Sequence, residues 1–163
     1  MAALKSTGMR EGKISGKTCA SNVQSSHADG VKLSMQALRD HSDMSPAVAR
    51  YGELESAGWK AQSGTAIHLD NTQGRYYCEL LELASLRGEA VVYQFLFDDR
   101  VVAMNLCLTR NGTLTVLKTT YDETIQSFSP AFLLRESELQ EIFAAGQVKR
   151  VEYFAVLWTG IQS

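Results

Sequence analysis

Apolar positions recur at helical spacing through the first half of the folded region and at a period of two after it. Val48, Tyr51 and Leu54 line one side of a helix that Ser45 would cap, Pro46 would open and Gly58 would stop near Ala57. A second helix is predicted over residues 72 to 86. Either Tyr76, Leu80 and Leu83 or Tyr77, Leu81 and Ala84 form its buried side, and Gly88 stands where a helix-terminating glycine belongs. The period then changes. Residues 91 to 97 and 101 to 108 read as strands joined by the short Asp98-Asp99-Arg100 turn, and Asn111-Gly112 leads into a third strand over residues 113 to 120. Residues 90 to 120 are thus expected to form a three-stranded antiparallel meander. Ser129 and Pro130 open a further helix with Phe132, Leu139, Ile142 and Phe143 as its buried face and Gly146 as its end. A last strand is predicted over residues 151 to 158.

Before the first helix, residues 31 to 39 fit a short strand or a helical piece. Residues 1 to 30 are rich in Ser, Gly, Lys and Thr without a sustained period, the pattern of a loosely ordered segment or the cut end of a longer protein. Residues 1 to 44 are therefore read as a basic leading segment and 45 to 163 as the folded domain. Residues 59 to 67 read as a loop. The expected order, α-α-β-β-β-α-β, is a mixed architecture of the α+β type with helices covering a sheet.

Composition narrows the function classes. The 163 residues are 45% hydrophobic and 21% charged, as in a globular domain. Residues 1 to 40 carry six Lys and Arg against three Asp and Glu, while residues 41 to 163 carry ten against fifteen. A mildly acidic folded part argues against nucleic acid as a partner, because such binding rests on phosphate neutralisation. Cys19, Cys78 and Cys107 are scattered and odd in number, which fits reduced thiols in the cytoplasm and neither a disulfide framework nor a zinc site. No run approaches the ~18 apolar residues of a membrane span, and no metal cofactor is expected.

Familiar catalytic signatures do not occur: there is no G-x-S-x-G, H-E-x-x-H or G-x-x-x-x-G-K-S/T. His27, His41 and His68 lie in unrelated contexts and read as surface or loop residues. Glu53 and Glu55 are two apart, on different helix faces, and do not form an acid/base pair. The stretch LKTTYDETIQSFSPAFLL, residues 117 to 134, stands out. A strand ends in Lys118, Tyr121 and Asp122, and a helix begins shortly after, its free backbone N-H groups and dipole suited to an anion. Ordinary capping explains the Ser-Pro start equally well.

ELESAGWKAQSGTAI (53 to 67), YYCELLELASLRGEAVVYQFLFDDRVVAMNLCL (76 to 108), LKTTYDETIQSFSPAFLLRESELQEIF (117 to 143) and KRVEYF (149 to 154) together resemble the CelD-like acetyltransferase domain. That family lies in the GNAT superfamily and is related to the FemAB-type peptidoglycan aminoacyltransferases. The resemblance covers roughly residues 45 to 155 and rests on the order and spacing of GWK, the Lys-Thr-x-Tyr-Asp strand end and the Ser-Pro-x-x-Leu-Leu helix start. It implies a GNAT-like α/β fold with a mixed, mostly antiparallel sheet flanked by helices. It also implies acyl transfer from acetyl-CoA, the co-substrate, to a small-molecule or saccharide acceptor of exopolysaccharide or envelope synthesis. The pantetheine would lie along the third strand of the meander, at Leu117, Lys118, Thr119 and Thr120. The pyrophosphate would lie at the helix start, on Ser129, Pro130, Ala131, Phe132 and Leu133. The catalytic expectations are Tyr121 as acid near the sulfur, a backbone N-H near Lys118 as oxyanion donor, and Asp122 as base or positioning group.

The chain departs from the pattern in lacking a glycine-rich loop, since ETIQSF occupies residues 123 to 128. Relatives continue past the last strand and often carry two such domains, so a chain shortened at its C-terminus, with a second domain or a homodimer as partner, is a further expectation. Two alternatives stay open: an aminoacyltransferase of peptidoglycan synthesis, and a GNAT-like module that binds CoA or a partner without turnover.

Overall fold

A computed structural model describes residues 26 to 28, 30 to 58, 64 and 66 to 154 of the chain. They form a six-stranded sheet in the order β1-β2-β3-β4-β5-β6 with three α-helices and a 3-10 helix. The elements are β1 (Ser26–Ala28), β2 (Val31–Leu38), α1 (His41–Ser56), α2 (Thr72–Ser85), β3 (Ala90–Phe97), β4 (Arg100–Arg110), β5 (Thr113–Tyr121), α3 (Pro130–Ala145) and β6 (Arg150–Tyr153). All neighbours are antiparallel except β5 and β6, which run parallel. The predicted meander is β3-β4-β5. Its second turn places Asn111 at φ 51° and Gly112 at φ 75°, the two left-handed positions of a type I′ hairpin.

The sheet is covered on both faces, which explains why β3 is buried along nearly its whole length. Val91, Tyr93 and Phe95 pack with Met35, Cys107, Leu114 and Val116 beneath Leu134 and Ile142 of α3. Ala90 and Val92 face the other way, joining Met104 and Leu106 against Met44, Val48, Tyr51, Leu81 and Ala84 of α1 and α2. A strand buried on both faces loses its polar alternation, hence the nearly continuous run AVVYQFLF.

Of the two readings for residues 31 to 39 the strand is the one formed, paired from Leu33 to Leu38 with β3, with Met35 and Ala37 in the core. Other expectations need correction. The boundary drawn between residues 44 and 45 falls inside α1, which begins at His41 behind an extended Asp40. Pro46 is therefore inside the helix. On α2 the second of the two candidate faces is the buried one: Leu81 and Ala84 are buried and Tyr77 is half-buried, whereas Tyr76 and Leu83 are exposed. On α3, Phe132 and Phe143 are 65% and 67% exposed, and Leu134, Glu138 and Ile142 form the inward stripe at four-residue spacing. The last strand is Arg150–Tyr153; the expected loop at 59 to 63 and the strand residues after 154 lie outside the described residues.

The connection between α1 and α2 is held tightly. A Cβ at Gly74 would lie 1.8 Å from the His68 carbonyl oxygen, and one at Gly52 would lie 2.2 Å from that of Ile67. The two glycines let both helices close on residues 67 and 68, and Glu55 fixes the contact by accepting the Ile67 N-H at 2.8 Å. Among the described residues no helix is long and apolar enough to cross a membrane.

Candidate active site

The parallel pair β5-β6 diverges halfway along β5. Pairing runs from Thr113 with Arg150 to Val116 with Tyr153, and the Phe154 N-H donates to the Val116 carbonyl at 2.9 Å. Beyond that point, among the described residues, no strand lies beside residues 117 to 121 on the edge facing away from β4. Backbone donors and acceptors on such an edge are available to an extended ligand.

The divergence coincides with a register break. Leu106 of β4 faces Lys118 and Cys107 faces Val116, so Leu117 has no residue opposite it. This is a β-bulge, a device that re-aims backbone and side chains near functional sites. It also decides which side chains share a face. Lys118 lies across from Leu106 and Thr120 across from Met104, both on the α1/α2 side. Thr119 lies across from Asn105, whose amide reaches α3, and Tyr121 packs with the α3-side core.

The predicted catalytic residues therefore do not converge. The Lys118 ammonium is held 5.6 Å from the centre of the Tyr77 ring on α2. Tyr121 is half-buried on the opposite face. Asp122 is 5% exposed and already occupied: it pairs with Arg100 at the start of β4, and its other oxygen accepts the Thr124 N-H at 2.9 Å and the Thr124 hydroxyl at 2.6 Å. Its role is to cap the 3-10 helix Glu123–Phe128 that replaces a glycine-rich loop.

The start of α3 also differs from expectation. Ser129 adopts a left-handed conformation, φ 49° and ψ 53°, and its side chain makes no cap bond. Pro130 has no N-H, while Phe132 and Leu133 both donate to the Ser129 carbonyl at 2.9 and 3.1 Å. The Ser129 N-H donates to the Gln126 carbonyl at 2.9 Å. Of the five residues expected to cradle pyrophosphate, Ala131 alone keeps a backbone N-H without an acceptor among the described residues. A tight left-handed turn closes the amides that a glycine loop would leave open.

Sequence reasoning missed a buried polar pair. Glu138 of α3 is 1% exposed and accepts a hydrogen bond from the Asn105 side-chain amide at 2.5 Å. Burial pushes its carboxyl up to about 7; the Asn105 bond and Arg135 pull it down, and Glu141 pushes it up again. The signals were present: Asn105 is the one amide in VVAMNLCL, and Glu138 stands midway between Leu134 and Ile142 on the inward stripe. Glu55 and Tyr51 of α1 are buried as well, the first accepting the Ile67 N-H and the second with a hydroxyl that has no hydrogen-bond partner among the described residues. The Tyr51 hydroxyl is pushed well above its ordinary range by burial, then by Glu55 and Tyr77.

His41 and His68 are surface residues, as expected. His41 Nδ1 lies 3.1 Å from the Glu82 carbonyl and His68 Nε2 lies 2.8 Å from the Ser56 hydroxyl. Cys78 and Cys107 are free thiols. Among the described residues no group of three His, Cys, Asp or Glu is placed to hold a metal. A cavity of about 370 Å³ lies at the hairpin end of β5, beside the Arg39–Glu141 ion pair. It is roughly 25 Å along the strand from Tyr121, at 3.3 Å per residue.

The family described as "Acetyltransferase (GNAT) domain" matches residues 20–155. No curated protein matches the sequence. Among solved structures, the aminoglycoside acetyltransferase meta-AAC0020 from an uncultured soil metagenomic sample, in complex with sisomicin, superposes with a TM-score of 0.55. It is 13% identical over 76% of this chain and 77% of its own. Aminoglycoside N-acetyltransferase AAC(6')-Iy in complex with CoA gives a TM-score of 0.50 at 7% identity, over 79% of this chain and 80% of that one. At such identities the likeness shows the fold, and the family match over most of the sequence shows the lineage: the chain belongs to the GNAT acetyltransferase family.

Proposed function

We propose that the chain transfers an acetyl group from acetyl-CoA to an amine or hydroxyl of a saccharide acceptor, of the kind used in exopolysaccharide or envelope synthesis. The observation that carries this reading is the divergence of β5 from β6 at the Leu117 bulge. There an open strand edge could accept the amides of a pantetheine chain, while a bulged backbone presents N-H groups to one point. Residues 117 to 120 would hold the pantetheine, and the Ala131 N-H with the α3 dipole would face the pyrophosphate. Acetyl-CoA, when bound, supplies a thioester. The chain's own contribution is then modest. As the acceptor nitrogen or oxygen attacks, the backbone N-H at Leu117 or Lys118 stabilises negative charge on the carbonyl oxygen; the C–S bond breaks, the thiolate takes the Tyr121 phenol proton, and the acceptor's own proton leaves through solvent, which restores the phenol. Asp122, committed to Arg100 and Thr124, acts by fixing the strand end.

A second reading, binding without turnover, is favoured by the closed amides at residues 129 to 133. Two measurements separate the readings. Acetyl-CoA raising the melting temperature shows binding, and thiol release in the presence of amino-sugar and neutral saccharide acceptors shows turnover. Stabilisation without release across the panel would favour the binding module, and no stabilisation would remove both readings.

A further inference from the structure

The Glu138 carboxyl lies on the α3 side of the sheet, bonded to Asn105 of β4. Its charge is felt by Cys107 of β4, Tyr93 of β3 and Tyr153 of β6, and it feels that of Arg135 and Glu141 of α3. The bond to Asn105 places the carboxyl over β4, the strand that pairs with β5. Asn105 faces Thr119 and Cys107 faces Val116, so the carboxyl lies beside the stretch of β5 that holds the bulge. Two acceptors there have no donor. Glu138 Oε1 and Asn105 Oδ1 are both buried and unpartnered, although Glu138 is 1% and Asn105 2% exposed.

An ionised Glu138 leaves both atoms unsatisfied and places a negative charge beside the bulged strand whose amides, on the acetyltransferase reading, face a developing oxyanion. A single proton on Oε1 changes both facts: it removes the charge and provides the donor that Asn105 Oδ1 lacks. We propose that Glu138 is a positioning residue for the β5 bulge: neutral, it supports the backbone around Leu117 and Lys118, and ionised, it disturbs it. The other titratable groups that face it leave the device to Glu138. Burial first, and Glu138 itself next, push the Cys107 thiol well above its ordinary range. Burial likewise raises Tyr93 and Tyr153, so both phenols stay neutral. Arg135 stacks 4.6 Å from the centre of the Tyr153 ring, and Glu141 is paired with Arg39.

Carbon-13 NMR of the glutamate side chains and nitrogen-15 NMR of the backbone test this without turnover. The Glu138 carboxyl should titrate near neutrality, with the Leu117 and Lys118 amides following the same midpoint in the native chain and not in Glu138→Gln. Asn105→Ala, which removes the bond that lowers this group, should move the midpoint upward. A Glu138 midpoint in the ordinary carboxylate range, or bulge amides indifferent to it, overturns the proposal.

The kinetic half rests on the acetyltransferase reading. The ratio of native to Glu138→Gln turnover should fall roughly tenfold between about pH 6 and about pH 8, a change that cancels any titration of the acceptor. A ratio flat across that range overturns the link to catalysis. If neither chain turns over at any pH, the acetyltransferase reading fails and the NMR titration alone decides the Glu138 proposal.

Discussion

Replacing Asp122 by Ala separates its structural role from the catalytic one the sequence suggests. Three interactions disappear. The side chain caps the 3-10 helix through the Thr124 N-H, a contribution of about 1 kcal/mol. The Thr124 hydroxyl bond adds about 1 kcal/mol. The Arg100 pair adds at most ~1 kcal/mol, because the Arg100 side chain is 64% exposed and its charge returns to water when the partner goes. The expected loss is about 2 to 3 kcal/mol, or about 4 to 12 °C in melting temperature for a domain of this size. Asp122→Asn should lose less than about 1 kcal/mol, since an asparagine oxygen caps almost as well. Circular dichroism melts give the stability, and thiol release at a temperature where all three proteins are folded gives the rate. The structural account expects rates within about tenfold of each other, well short of the effect of removing a general acid or base. A thousandfold loss of rate in Asp122→Asn at unchanged melting temperature would refute it and restore the carboxylate to the chemistry.

Other outcomes follow from the same geometry. Tyr121→Phe should lower turnover about a hundredfold while leaving acetyl-CoA binding intact; steady-state kinetics and thermal shift read the two separately. Folding raises the Glu138 carboxyl from 4.5 to about 7 and so favours its neutral form. Its contribution to stability is therefore complete below about pH 4.5 and is lost as pH rises through about 7. The native chain should lose up to about 3 kcal/mol relative to Glu138→Gln over that window, measured by urea melts at successive pH values. Gly74→Ala drives a methyl into the His68 carbonyl and should cost at least about 1 to 3 kcal/mol, visible as a lower urea midpoint.

The meander and the helices were legible because their signals are local. Asn111-Gly112 admits few other turns, and period two over residues 91 to 120 has no helical reading. What could not be read depends on contacts between distant segments. Residues 31 to 38 become a strand because β3 offers them a partner, and nothing within VKLSMQAL decides that alone. Ser45-Pro46 misled because a proline one turn into a helix leaves the same trace as one at its first position. Phe132 and Phe143 were assigned inward on bulk, yet the stripe through Leu134, Glu138 and Ile142 faces the sheet because Asn105 is there to receive a carboxylate. At the site, the strand end was placed correctly in the chain, but the sharing of faces among Lys118, Tyr121 and Asp122 depends on a bulge that has no sequence mark of its own.

That bulge makes β5 a strand of two phases. Before it, Leu114 and Val116 look toward α3; after it, Thr119 and Tyr121 do, the parity having shifted by one. Deleting Leu117 would remove the unpaired residue and leave Lys118 and Tyr121 on the faces they now hold, carried by a plain alternating strand. Pairing Leu117 instead, with every residue kept, would send Lys118 to the face of Tyr121 and Tyr121 to the face of Lys118. The face each side chain takes is thus written in a count of paired residues, and a relative with the same letters but a straight strand here would present Lys118 and Tyr121 on exchanged faces.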